Sequence, residues 1–138
     1  GARQYIDGVL RIYRRAEPLI RGRKGLPDTD LQAFHLELFM FKARHDLGSN
    51  LDASSAKKLR AIRLSSEKMR QKAENAFLNG HMKSDEFMDA FNRETVWFQS
   101  EVANAMKGSH YRALFGLNPG ETVVLADPAQ VKLAYGAR

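Results

Sequence analysis

Apolar residues recur at three- and four-residue spacing along almost the whole chain, the period of helices that bury one face. Residues 4–21 place Tyr5, Val9, Ile12, Ala16 and Leu19 on one side and arginines on the other. Gly8 and Pro18 weaken that helix, and Pro18 is expected to kink or end it near Glu17. The run R-G-R-K-G-L-P-D that follows is a loop by its Gly and Pro content. A second helix is expected from T-D-L-Q (29–32), where Thr29 as N-cap and Gln32 at N3 make a capping box, to G-S-N at 48–50. A third runs from D-A-S-S (52–55) to the N-G at 79–80, with the stripe Leu59, Ile62, Ser66, Met69, Ala73 and Ala76. A fourth runs from K-S-D-E (83–86) to Gly108, with the stripe Met88, Phe91, Thr95, Phe98, Val102 and Ala105.

Two long helices joined only by N-G-H-M-K must fold back on each other. Beyond them, S-H-Y-R-A-L-F is a short helix stopped by Gly116 and a turn at N-P-G-E (118–121). T-V-V-L-A is then extended, and D-P-A-Q (127–130) starts a last helical turn with Asp127 as N-cap and Pro128 at N1. The expected fold is all-α: a long antiparallel helical hairpin, additional N-terminal helices, a short C-terminal helix and an extended tail. One domain fills residues 1–138, with a basic N-terminal helix (1–25), a hairpin core (28–117) and a tail (118–138).

The second helix has two apolar stripes. Leu31, Phe34, Leu38 and Phe41 form one; Leu36, Met40, Ala43 and Leu47 form the other, with Phe39 leaning towards it. Such a helix needs two apolar neighbours. The hairpin is one, and the second is helix 1, another subunit in a homodimer, or a bound client. Trp97 and Val96 raise the same question, because they point away from the stripe of their own helix. An uncovered apolar patch on a folded protein marks an interface, so the expected client- or partner-binding surface is Leu36, Phe39, Met40, Leu47 and Trp97, rimmed by Lys42 and Arg44.

Charge changes the picture only once it is located. The net +6 of the 138 residues is concentrated in two segments. Residues 1–25 carry seven bases against Asp7 and Glu17, and residues 57–72 carry seven bases against Glu67 alone. Residues 83–107 hold Asp85, Glu86, Asp89, Glu94 and Glu101 against three bases, so the third and fourth helices are expected to neutralise each other. R-I-Y-R-R (11–15) and K-K-L-R-A-I-R (57–63) have the composition of phosphate-gripping segments. On the third helix, however, Lys58 and Lys72 flank the seam on one side and Arg60, Arg63 and Arg70 on the other. With no recognition-helix motif and no aromatic platform, nucleic acid is set aside as a partner in favour of solvated faces and ion pairs.

Chemistry is sparse. The chain has no cysteine, which removes disulfides, thiolate nucleophiles and Cys-based metal sites. No apolar run approaches the ~18–20 residues that span a bilayer. His35 and His45 bracket the fattest apolar run, H-L-E-L-F-M-F-K-A-R-H, but stand about 80° apart around a helix and ~15 Å apart along it. They cannot share one ion unless other helices contribute, so His35, His45, His81 and His110 are metal candidates only across helices. There is no G-x-S-x-G, no glycine-rich phosphate loop and no Glu-x-x-His repeat. The carboxylates of the fourth helix read as solvent-side charge partners of the third. Neither a catalytic residue nor a cofactor is expected.

The layout resembles the Spy/CpxP-like periplasmic proteins, a group that includes heavy-metal resistance sensors and zinc-resistance proteins. These look like a short helix leading into a long antiparallel hairpin, with L-T-x-x-Q at two helix starts. The matching slots are L-D-A-S-S (51–55) and M-K-G-S-H (106–110), the latter before Y-R-A-L-F-G. Leu51 is kept in the first slot, while Thr and Gln are absent from both. The resemblance spans residues 28–117 and implies a processed periplasmic protein, a cradle-shaped dimer that shields unfolded clients or senses metal. A non-enzymatic, chaperone-like or stress- and metal-response binding module is therefore the expectation. The alternatives are a basic helical module for nucleic acid or an acidic protein, and a metal sensor with interhelical histidines.

Overall fold

The computed structural model describes residues 3, 6–12 and 28–121, all helix and turn, with no strand among them. Residues 6–12 are helical and are called α1 here. α2 spans Asp28–Leu47 and passes through a 3-10 turn, Gly48–Asn50, towards α3, Ala53–Leu78. α4 spans Ser84–Ala105 and α5 spans Gly108–Phe115. The fold is all-α. The extended T-V-V-L-A, the D-P-A-Q start and much of the basic first 25 residues lie outside the described residues.

Local chemistry sets the ends. Asp52 caps α3 by accepting from the Ser55 amide at 2.7 Å, satisfying an amide that the first turn leaves free. Glu86 reaches back to the Lys83 amide at 3.3 Å, and Asp85 and Glu86 put negative charge at the start of α4. Gly116 closes α5 with φ +71°, a left-handed position that favours glycine. The N-P-G-E turn then folds back, with the Glu121 amide donating to the Asn118 carbonyl at 3.0 Å. Tyr111, buried under that turn, donates its hydroxyl to the Glu121 carbonyl at 3.0 Å.

α3 packs against both α4 and α2, and α5 packs against α2 and α4. Ser66 meets Glu94, and Phe77 stacks on Phe87 with centroids 4.7 Å apart, so α3 and α4 run in opposite directions. Gln32 meets Gln71 and His35 meets Glu67, so α2 also runs against α3.

The main core joins Met40, Ala43 and Leu47 of α2, Leu59 of α3, Phe98 and Val102 of α4, and Tyr111 and Leu114 of α5. A second, smaller core lies near the α3–α4 turn, where Phe77 and Phe87 pack with Ala73, Met82, Met88 and Phe91. Between the two apolar cores lies a polar layer.

Two sequence expectations change. The stripe that lies on the bundle is Leu36, Met40, Ala43 and Leu47, with Phe39, all buried. The other stripe, Leu31, Phe34, Leu38 and Phe41, is half-buried, and Phe41 meets α1 at Gly8, where the ring leaves no room for a Cβ. Leu36, Phe39, Met40 and Leu47 therefore fill the core instead of forming an open client surface. On α3, Met69, expected in the seam, is 43% exposed. Because α2 and α4 both press on α3, its buried arc is turned towards Glu67 and Gln71.

Candidate functional site

The seven bases of residues 57–72 fall into two groups, and burial separates them. Arg63 and Arg70 turn inward onto Glu67, which is 1% exposed. Arg63 Nη2 lies 2.7 Å from Glu67 Oε1, while Arg70 Nη2 donates to Oε2. The Arg63 guanidinium also sits over two rings, 5.3 Å from the Phe39 centroid and 5.0 Å from that of Phe98. That placement lets a cation enter an apolar layer while facing π-electron density. Its Nε is buried with no hydrogen-bond partner.

His35 completes the cluster from α2. Its Nδ1 lies 2.9 Å from Glu67 Oε2 and 2.7 Å from Arg70 Nη2. With a proton on Nδ1 the ring donates to Glu67; without one it accepts from Arg70. Gln32 donates to Gln71 at 3.0 Å one turn further along, and Arg70 also faces Glu74 at 3.6 Å. On the other side of α3, Ser66 donates to the buried Glu94.

The two buried carboxylates are driven apart. Burial pushes Glu67 up, but hydrogen bonds from His35 and Arg70 and the charges of Arg63 and Arg70 outweigh it and hold its pKa at about 2. Burial pushes Glu94 above the ordinary carboxylate range, against the Ser66 hydrogen bond and the two arginines. Burial likewise lowers the Arg63 pKa, whereas for Arg70 the contacts with Glu67 overcome burial and raise it.

A depressed folded-state pKa means stability that is present above the unfolded value and lost as pH falls. For Glu67 the window runs from the ordinary 4.5 down to about 2. Its contribution is on the order of 3 kcal/mol. Glu94, shifted upward, acts in the opposite sense: its contribution is lost as pH rises through its folded pKa. Chemical denaturation of the parent and of Glu67→Gln between pH 5 and pH 2 checks this. The parent is expected to lose stability steeply across that window and the variant much less. Parallel curves would contradict the assignment.

Glu94, one of the fourth-helix carboxylates expected on the solvent side, is buried, and so is Glu67. Helix periodicity does not distinguish a charged residue facing water from one facing a buried guanidinium. The available signal was Glu67 as the single acid among seven bases, four residues after Arg63 and three before Arg70. Ser66 donates to Glu94 and His35 contacts Glu67 and Arg70, so the cluster contains no serine–histidine contact of the kind that activates a nucleophile.

The remaining bases of α3, Lys57, Lys58, Arg60, Lys68 and Lys72, are exposed, and none forms a salt bridge with a described residue, although the Ser55 hydrogen bonds and, with them, the charge of Lys58 lower the Asp52 pKa. Ala61 and Ser65 lie exposed among them. At about 100° per residue the four lysines cover an arc of roughly 100° on the outer side of α3, and Arg60 stands about 60° beyond Lys57, past Leu64 and buried Gln71. They extend about 22 Å along its axis.

The other expected site residues are dispersed. Lys42 is held by the Leu114 carbonyl and Asp46, Arg44 is exposed, and Trp97 packs half-buried against the main core. His45 lies near the end of α2, His81 in the α3–α4 turn and His110 in α5. Among the described residues no three His, Asp or Glu side chains gather as a metal-binding group, and no helix is long and apolar enough to cross a membrane. The slots 51–55 and 106–110 do meet, lining an open polar cleft of about 580 Å³ with Asp52, Ser55, Met106, Lys107 and His110 among its walls. No protein family, curated protein or solved structure matches the chain.

Proposed function

We propose that the protein is a non-enzymatic binding module, a helical hairpin that presents the outer face of α3 to an anionic partner. The observation that carries this reading is the division of charge on α3. Two arginines are engaged with buried Glu67, and five further cations stand exposed, none of them in a salt bridge with a described residue. A row of like charges is self-repelling, and a complementary anion relieves that repulsion. Charge reversal in Lys57→Glu/Lys68→Glu/Lys72→Glu is expected to reduce retention on heparin strongly, with helicity unchanged. Unchanged retention would contradict the reading.

A chaperone-like role needs a different surface from the one expected, because Leu36, Phe39, Met40 and Leu47 are buried. The second core favours one at the hairpin turn. There Met82, Met88 and Phe91 are half-buried around the stacked Phe77 and Phe87, Leu78 is 40% exposed, and a cleft of about 560 Å³ opens beside Phe77 and Met82. Methionine suits an adaptable apolar surface. Leu78→Ser/Met82→Ser is expected to abolish suppression of client aggregation at unchanged helicity, and full protection by this variant would remove that role. The meeting of slots 51–55 and 106–110 supports a Spy/CpxP-like relationship, with the periplasmic setting that it implies.

A further inference from the structure

We infer that the anionic partner of α3 is the phosphate backbone of a nucleic-acid duplex, held across a groove without base readout. This rests on the binding-module reading above and specifies its partner.

Three observations favour a duplex. First, the exposed bases do not wrap around the helix, because Arg63 and Arg70 are engaged inside with Glu67. What remains is an outward arc, Lys57–Lys68–Lys72–Lys58 in angular order, all exposed, with Arg60 exposed at its margin beyond half-buried Leu64 and buried Gln71.

Second, that arc is convex and wide. A flat bilayer meets the crest of a helix and leaves charges on its flanks unused. A duplex major groove, about 12 Å wide, admits a helix and places phosphates on both sides of it. α3 also carries α2 on one flank of its buried arc and α4 on the other, while Lys57, Ala61, Ser65, Lys68 and Lys72 on the opposite side are exposed.

Third, the arc lacks the anchors of a protein interface. Such interfaces are centred on buried Trp, Tyr or Arg contacts, whereas the residues between these lysines are Ala61 and Ser65, with Met69 the one large exposed apolar side chain nearby. Small residues at the crest permit close approach. The absence of an aromatic among the exposed residues of this arc favours duplex over single strand, because single strands are held by stacking.

The test is fluorescence anisotropy of a labelled random-sequence 20-base-pair duplex titrated with protein over a range of salt. With four to five phosphate contacts, log affinity should fall against log salt with a slope of about −4. Affinity should therefore drop by roughly two orders of magnitude between 50 and 200 mM salt. Lys57→Glu/Lys68→Glu/Lys72→Glu should weaken binding at least tenfold and bring the slope towards about −1. A variant with Lys83→Glu/Arg93→Glu/Lys107→Glu carries the same change in net charge away from α3 and should keep most of the affinity.

Poly-glutamate and phosphatidylglycerol vesicles are titrated alongside. Binding of either through α3 without duplex binding overturns the duplex assignment and leaves the binding-module reading standing. Equal losses from the two triple variants overturn both, because net charge alone would then explain the binding. Duplex binding that is insensitive to salt also overturns the assignment.

Discussion

Glu67→Ala is expected to destabilise the protein by about 3–5 kcal/mol, because it removes the carboxylate that two partly buried guanidinium groups share. Glu67 is almost completely enclosed, so water cannot readily replace it. The loss is asymmetric. Removing the whole ion group costs little when apolar side chains of similar volume fill the space, whereas removing one partner leaves charge without compensation. Arg63→Leu/Glu67→Leu/Arg70→Leu is therefore expected to be near neutral or more stable than the parent, although it removes three charged groups. In a chain of this length the single substitution should lower Tm by on the order of 10 °C. Urea unfolding followed by circular dichroism checks both variants. A Glu67→Ala loss below about 1 kcal/mol, the size of an exposed pair, would show that the cluster is solvated.

The polar layer also ties the three helices to one register. Leu59 and Phe98 could pack in neighbouring registers with modest loss. Glu67 can meet His35, Arg63 and Arg70 together only when α2 is aligned with α3. Ser66 and Glu94 impose the same condition between α3 and α4.

The helical segments were legible because their punctuation is local. Asp52 and Gly116 act at the ends where sequence placed them. Phe98, Val102 and Leu59 are buried as their spacing implies. The contents of the seam were harder to read. A helix touched on one side buries a stripe centred on its apolar residues. α3 is touched on two sides, so its buried arc is displaced towards Glu67 and Gln71, and Met69 faces outward. α2 is apolar on two faces, and spacing alone does not say which of them the bundle takes.

The basic arc was obscured for the same reason. Seven bases on one helix look wrapped until the two that face inward are known. Once Arg63 and Arg70 are assigned to Glu67, the four lysines share one face, with Arg60 at its margin. Reversing three of them, Lys57→Glu/Lys68→Glu/Lys72→Glu, changes the local charge by six units while touching no buried contact. Exposed substitutions of this kind usually move stability by no more than about 0.5 kcal/mol. Polyanion binding, in contrast, should fall by at least an order of magnitude, since each released counterion contributes to the salt dependence. Function and stability should therefore separate cleanly between this variant and Glu67→Ala, which alters the buried half of the same helix.

The division of charge on α3 is tested most directly by the salt concentration that elutes each protein from heparin. The account predicts that the α3 triple variant elutes far below the parent, while Lys83→Glu/Arg93→Glu/Lys107→Glu, with the same net charge, elutes close to it. Co-elution of the two variants would contradict it.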